Sequence, residues 1–360
     1  MSENALIGSD TFYCNGCGAA LKYKPGTTFL HCDYCSTDTP IDVRVVDEVQ
    51  ELDFMQYAHQ FENLNTGTSK IIGCRKCGAE SAFDESLKSM ECPYCCTPLI
   101  ESDVHEERLI QPSYLLPFHI SDNDIQTCLT KWIKSLWFAP NKLKKRALYS
   151  YQLQGIYIPC WTYDAQTNTD YTGQRGDNYT VTTGSGKNRR TETRTRWSRR
   201  SGHISLFFDD VMVPASKLIA GDIMNKISDW DTKNMVETDK RFFSGFLTEK
   251  YILTHTSGYE TAKNIMYWQI ESAIRRDIGG DKQIIDSRKT VFSNIKFKLI
   301  LLPVYMSSYT YKSKLYHFFV NGRNGKVTGD RPYSAIKITL AVLCALALIA
   351  LIVWYFNSNG

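Results

Sequence analysis

The sequence predicts a multidomain chain: two tandem rubredoxin-like zinc-ribbon modules with β-hairpin knuckles, then an α+β domain with an antiparallel sheet, then one C-terminal transmembrane helix. Three observations predict it. A four-cysteine pattern occurs twice, a central stretch alternates aromatic and β-branched residues with polar ones, and 19 uncharged, mostly apolar residues run together near the end.

The first set of cysteines is Cys14, Cys17, Cys32 and Cys35, and the second is Cys74, Cys77, Cys92 and Cys95. Each reads C-x2-C-x14-C-x2-C, and each member of the second set lies 60 residues after its counterpart. Neighbours repeat as well: Cys17-Gly18-Ala19 matches Cys77-Gly78-Ala79, and Cys32-Asp33-Tyr34-Cys35 matches Cys92-Pro93-Tyr94-Cys95. Two residues between cysteines make a tight knuckle that aims both sulfurs at one ion, and a second knuckle completes a tetrahedron. Gly18 and Gly78 suit the sharp turn after a knuckle, where positive φ costs glycine little. Four protein ligands leave no open position, so two structural Zn2+ ions are expected, in ribbons over 10–45 and 70–105. Disulfides, a redox pair or an iron–sulfur cluster are the other uses of such cysteines. The N-terminus, MSENALIGSD, has neither a basic nor an apolar leader region, which points to a reducing compartment, and there the ribbon spacing favours zinc. His31, beside a site already full, reads as a surface histidine, and Cys96 as a bystander.

Residues 46–69 read as a linker helix and its loop exit, because Val46, Val49, Leu52, Phe54 and Tyr57 fall near helical spacing. An α+β domain is expected over 110–330. Ser121-Asp122 caps a helix carrying Ile125, Leu129, Trp132, Ile133 and Leu136, and a second helical piece follows over 141–150. Strands run over 155–214, a helix over 259–278 stops at Gly279-Gly280, and strands return over 282–331 with turns at Asn321-Gly322 and Asn324-Gly325. Cys128 and Cys160 read as core residues.

Charge divides the chain. Residues 1–111 carry 8 Lys+Arg against 18 Asp+Glu, while the remainder carries 34 against 20. The basic excess peaks in a hairpin over 184–202, with Lys187, Arg189, Arg190, Arg194, Arg196, Arg199 and Arg200 against Glu192 alone. In its part TRTRW, strand alternation puts Arg194 and Arg196 on one face and Thr193, Thr195 and Trp197 on the other. Such a surface would meet lipid headgroups, nucleic acid or an acidic protein, or stand as a solvated tip.

The apolar run, 338–356, would extend about 28 Å as a helix, the thickness of a bilayer's hydrocarbon core. Trp354 and Tyr355 suit the interfacial belt, within a transmembrane helix over 336–356. Arg323, Lys326, Arg331 and Lys337 precede it and Asn357-Ser358-Asn359-Gly360 follows, so the positive-inside rule places the bulk of the protein in the cytoplasm, tail-anchored in a single pass at the cell membrane. Cys344 reads as an apolar filler of the span.

No enzyme signature accompanies these features. The stretch ending Gly184-Ser185-Gly186-Lys187-Asn188 fails as a phosphate loop, with Val181 in place of the first glycine and Asn188 in place of Ser or Thr. A non-enzymatic membrane-anchored adaptor that recruits cytosolic or membrane-associated protein partners is therefore expected, with a membrane-tethered nucleic-acid binder using 187–200 as the alternative. The acidic ribbons are poorly suited to phosphate backbones.

The duplicated ribbon, Leu116-Pro117-Phe118, the stretch Gly155-Ile156-Tyr157-Ile158-Pro159-Cys160-Trp161-Thr162-Tyr163-Asp164-Ala165, Ser244-Gly245-Phe246, Leu302-Pro303-Val304-Tyr305, and Val320-Asn321-Gly322 with the following Gly325-Lys326-Val327-Thr328-Gly329-Asp330-Arg331-Pro332-Tyr333 carry a resemblance over nearly the whole chain. It resembles a family of bacterial TFIIB-type zinc-ribbon membrane proteins, often described as primosomal protein N′ (replication factor Y) superfamily II helicases. A helicase needs an ATP-binding loop and a metal-binding acidic motif, and this sequence has neither. The resemblance implies company with membrane-stress proteins of the PspA and SPFH kinds as partners.

Overall fold

The computed structural model describes residues 11–43, 50–57, 66–83, 91–95, 97–141, 153–184, 190–217, 219, 221–312 and 314–358. Of the helical piece expected over 141–150, residues 142–150 lie outside the described residues, as do Cys96, Lys187 and Arg189.

Five strands make the frame: β1 (Gln154–Thr183), β2 (Arg190–Pro214), β3 (Lys282–Tyr311), β4 (Lys314–Asn321) and β5 (Val327–Gly329). They stand in the order β2-β1-β3-β4-β5, and each pair along this path is antiparallel. Two short parallel additions make the sheet mixed: Leu247–Thr248 on β1 and Tyr114–Leu115 on β3. β1 and β3 are each 30 residues long, so they run well past the globular core.

The first half of β1 is buried on both faces, and from Gln166 onward burial alternates. Doubly covered strands read as continuous apolar runs, and Ile156-Tyr157-Ile158-Pro159-Cys160-Trp161 is one. Tyr157 points to a face shared with α1 (Asp122–Ser135) through Ile125, Leu129 and Ile133. Trp161, Tyr163 and Ala165 continue that face under α2 (His255–Ile278). Ile156, Ile158 and Cys160 point the other way, onto the second ribbon.

Local signals place both helices. The Ser121 hydroxyl accepts from the Asp124 N–H, and the Thr254 hydroxyl accepts from the Ser257 N–H, each satisfying an orphan donor of the first turn. α2 buries Tyr259, Ala262, Met266, Ile270, Ile274 and Ile278, one stripe at three- and four-residue steps, and Gly279 ends it at φ 67°. Asn321 organises the turn into β5: its carboxamide oxygen accepts from the Arg323 N–H at 2.7 Å and its amide donates to the Ile227 carbonyl at 2.7 Å.

The linker helix forms only in part over the described residues of its span. Leu52–Asp53 pairs with Phe297 and Lys296 on β3, and only one helical turn, Phe54–Tyr57, follows. Phe54 sits against Tyr163, Tyr259 and Phe297, and edge pairing with this aromatic pocket overrides the helical spacing. Arg323 differs from expectation too. Its guanidinium is bound to Asp231 and to the Pro117 carbonyl, and Lys326 pairs with Asp229, so both close the turn before β5.

The last element, α3 (Ala335–Ser358), is long and apolar enough to cross a membrane, and none of it is buried against the rest of the chain. Cys344 lies exposed on it.

Candidate metal centres

Each ribbon brings its four cysteines to one point. In the first, the sulfur pairs Cys14–Cys35 and Cys17–Cys32 lie 3.5 Å and 3.4 Å apart; in the second, Cys74–Cys95 and Cys77–Cys92 are both at 3.5 Å. Within each set all four sulfurs lie within 4.8 Å of one another. A tetrahedral ion with metal–sulfur bonds of about 2.3 Å requires sulfurs about 3.8 Å apart, which these spacings bracket. Soft thiolate donors in a closed set of four fit two structural zinc ions.

The knuckles supply the supporting bonds. Gly18 N–H donates to the Cys14 carbonyl at 2.8 Å and Gly78 N–H to that of Cys74 at 2.7 Å; both glycines have positive φ, 73° and 66°. The third and fourth ligands are held by Thr37 and Thr97, whose backbones close the turns at the Cys32 and Cys92 N–H groups. Thr37 hydroxyl and backbone bonds hold the exposed Cys35 thiol down at about 6. Burial opposes ionisation of Cys95, yet bonds from Thr97 bring it to about 7. Both thiols are thus prepared to give up a proton to a metal.

The two centres sit differently in the fold. The first ribbon attaches through its hairpin: Tyr23 hydroxyl donates to the Phe118 carbonyl at 3.0 Å, and Ser244 hydroxyl donates to the Leu21 carbonyl at 2.6 Å. Its knuckles face outward, with Cys17 and Cys35 exposed. The second attaches through its knuckle. Lys217 Nζ donates to the Cys77 and Gly78 carbonyls at 2.8 and 2.9 Å, and Lys250 Nζ lies 2.8 Å from Glu80 and 2.6 Å from Glu107. Cys74, Cys92 and Tyr94 join the core that contains Ile158 and Ile300. The strands Thr66–Gly73, Glu80–Ala82 and Val104–Ile110 make its own three-stranded sheet. His31 pairs with Asp38 at the surface, 2.6 Å away.

The basic hairpin is β1 and β2. β3 begins at Lys282, opposite Gly176, so beyond that register only two strands continue. Arg190, Arg194, Arg196 and Arg200 share one face by alternation and Arg199 takes the other, with Thr195 and Trp197. Thr195 hydroxyl donates to Asn178 at 2.8 Å, and Trp197 packs over Gly176. Arg194 approaches Glu192 at 3.4 Å, whereas Arg196 and Arg199 enter no ion pair among the described residues.

One cluster escapes sequence reading. Lys298, 3% exposed on β3, lies 2.6 Å from Glu51 and 2.6 Å from Asp210, and Asp164 adjoins them, accepting from the Asp210 N–H at 2.8 Å. These three carboxylates are close enough to ligate an ion, but the Lys298 ammonium already pairs with two of them. Burial, with Glu51 beside it, raises Asp164 to about 7, so its carboxyl keeps a proton through the acidic range.

These features define a class: two tetracysteine centres mounted on a largely antiparallel sheet, with one apolar helix fit to cross a membrane. The chain is similar to the uncharacterized protein YdjG of Bacillus subtilis (strain 168), with 24% identity over 238 residues covering 64% of this chain. The chain spans 66% of the length of that relative. No protein-family model and no solved structure matches it.

Proposed function

We propose that the protein is a non-enzymatic adaptor, anchored by α3 at the inner face of the cell membrane, whose first zinc ribbon receives a cytosolic or membrane-associated protein partner. The observation that carries this reading is the fate of one duplicated residue. Tyr94 of the second ribbon is 4% exposed in the core, whereas its counterpart Tyr34 is 85% exposed beside Cys35. Tyr13 is also exposed on the first ribbon, so a metal-stiffened knuckle presents aromatic side chains outward. Aromatic residues on a rigid support are favoured anchors in protein interfaces. The second ribbon is then a structural mount for the sheet, and duplication supplies one site for building and one for binding. Partners of the PspA or SPFH kind fit this place at a membrane.

The test is recovery of partners from native membranes by the full chain and by Tyr34→Ala, which leaves the metal ligands intact. Loss of a specific partner with two metal ions retained supports the reading. The same partner recovered in the same amount with Tyr34→Ala and with Tyr13→Ala overturns it.

A second reading, nucleic-acid binding by the hairpin, is favoured by Arg196 and Arg199, which stand on β2 without acidic partners among the described residues. Charge reversal at Arg194, Arg196, Arg199 and Arg200 would abolish salt-sensitive DNA binding under that reading. Binding that survives reversal excludes it.

A further inference from the structure

Two exposed aromatic residues lie beside the root of α3. The turn after α1 is closed by Ala139 N–H donating to the Leu136 carbonyl at 3.1 Å. Leu136 and Ala139 are buried against Trp132, Tyr309 and Tyr311, which fixes the turn to the body. Its tip holds Trp137, 81% exposed, and Phe138, 43% exposed. A tryptophan of such exposure in a rigid turn leaves a large apolar ring in water, which sequence context alone does not explain.

The same turn is bonded to α3. Ser334 N–H donates to the Phe138 carbonyl at 2.8 Å. Lys337 Nζ donates to the carbonyls of Trp137 at 3.2 Å and Ala139 at 2.8 Å, and to Asn141 Oδ1 at 2.8 Å. The first turn of α3 and the Trp137 turn are therefore at one level. α3 has 24 residues, about 36 Å, against a hydrocarbon core of about 30 Å. Its uncharged run begins at Ile338, so Lys337 and the Trp137 turn fall in the headgroup zone.

Charge follows on the neighbouring tip, which Tyr311 joins to the turn through Leu136 and Ala139. Lys312 and Lys314 flank the tip between β3 and β4, and their ammonium groups lie 5.9 Å and 5.6 Å from the rings of Tyr311 and Tyr316. Arg331 lies 5.4 Å from the exposed Tyr333 ring. Aromatic rings interleaved with Lys and Arg beside a span are the composition that membrane interfaces favour, and basic groups there are drawn to anionic lipid. Asp330 is the acidic residue of this stretch, and its carbonyl, not its carboxylate, is engaged by Tyr309.

We infer that the Trp137–Phe138 turn, with Lys312, Lys314, Arg331 and Lys337 around it, is a second membrane contact: it enters the headgroup layer of the bilayer that α3 crosses. The inference rests on reading α3 as a span. With Lys337 joining the two anchors, the body cannot swing about the helix root, and the sheet and both ribbons are held at a fixed tilt to the membrane.

The experiment uses the full chain in nanodiscs of phosphatidylcholine and phosphatidylglycerol, with phosphatidylcholine brominated near the headgroup end of its acyl chains as quencher. Trp354→Phe removes the tryptophan of α3 and serves as the background. The expected result is a blue-shifted, bromine-quenched emission component in Trp354→Phe that is lost in Trp137→Phe/Trp354→Phe. Equal quenching in the two variants overturns the inference, as does a blue shift at Trp137 that bromine does not quench, which would place a protein over the turn. Alkaline carbonate extraction of the unaltered chain separates the two readings. A chain that stays in the membrane without a Trp137 component loses only this contact, whereas an extracted chain loses the span and the contact together.

Discussion

The ammonium of Lys298 lies 2.6 Å from a carboxylate oxygen of Glu51, so the segment between the two ribbons is bonded to the middle of the long strand β3. Asp210 shares the same ammonium and Asp164 stands beside it, so three acids meet one buried base, with Lys296 near Glu51 at 3.9 Å. Such a group cannot carry all its negative charges at once in a low dielectric. Burial, with Glu51 adjacent, raises Asp164 to about 7.

The contribution of Asp164 to stability should therefore fall as pH rises from about 4 to about 7. Asp164 binds its proton in the folded state up to about pH 7, whereas in the unfolded chain it loses it near 4. Between those values the folded state holds more protons, and the unfolding free energy declines with pH. Asp164→Asn mimics the protonated form and keeps the oxygen that accepts from the Asp210 N–H. It should leave the unfolding free energy unchanged near pH 4 and raise it at pH 8 by on the order of 2 kcal/mol, after allowance for partial solvation. Thermal unfolding of both proteins in detergent between pH 4 and 8 checks this; parallel curves would show that Asp164 ionises normally.

Metal should leave the two centres at different rates. Cys17 and Cys35 are exposed, while Cys77 and Cys95 are half-buried and Lys217 bonds to the Cys77 carbonyl. A chelator must reach a sulfur that has let go of the ion, and local opening is cheaper where fewer groups pack. Elemental analysis should find two zinc ions per chain, and chelator-driven release should show two phases separated on the order of tenfold, about 1.4 kcal/mol in opening free energy. Cys14→Ser/Cys17→Ser should remove the fast phase alone. A single phase in the unaltered chain would mean that the Lys217 contact gives no protection.

The duplicated tyrosines should differ in the same sense. Tyr94→Ala empties a site in the core of Ile158 and Ile300 and should cost about 3–4 kcal/mol. Tyr34→Ala removes a side chain standing in solvent and should stay within about 0.5 kcal/mol. Urea unfolding of the pair measures both, and equal losses would place Tyr34 in an intramolecular contact.

How much of this is legible in the sequence depends on how far apart the partners lie. The metal ligands are legible because two knuckles and a 60-residue repeat fix them locally. So are the end of α2 at Gly279 and the cap at Ser121, which depend on one turn of backbone. The Lys298 group is not, because Glu51, Asp164, Asp210 and Lys298 come from four separate segments, and each taken alone reads as a solvated charge. Leu52 and Asp53 mislead for the same reason, since helical spacing there yields to pairing with β3 that no local window contains. Equal motifs likewise hide unequal burial: nothing in Cys-x-Tyr-Cys tells Tyr34 from Tyr94, because what covers Tyr94 is Ser216, Glu249 and their neighbours, far along the chain.

Arg323 is the sharpest case, since charge counting beside a span assigns it to the membrane surface while the fold places its side chain at 11% exposure against Asp231. There it also donates to the Pro117 carbonyl at 3.0 Å, tying the entry of the α+β region to the turn before β5. Removing one partner of a buried pair strands the other charge, which costs more than the pair itself contributes. Asp231 stays partly in solvent, so Arg323→Met should destabilise the protein by about 1–2 kcal/mol, and Arg323→Met/Asp231→Leu should recover part of that loss. Arg331→Met, on an exposed residue, should change stability by less than about 0.5 kcal/mol. A double-mutant cycle from thermal or urea unfolding gives the coupling, and a value near zero would return Arg323 to the set of surface charges that orient the span.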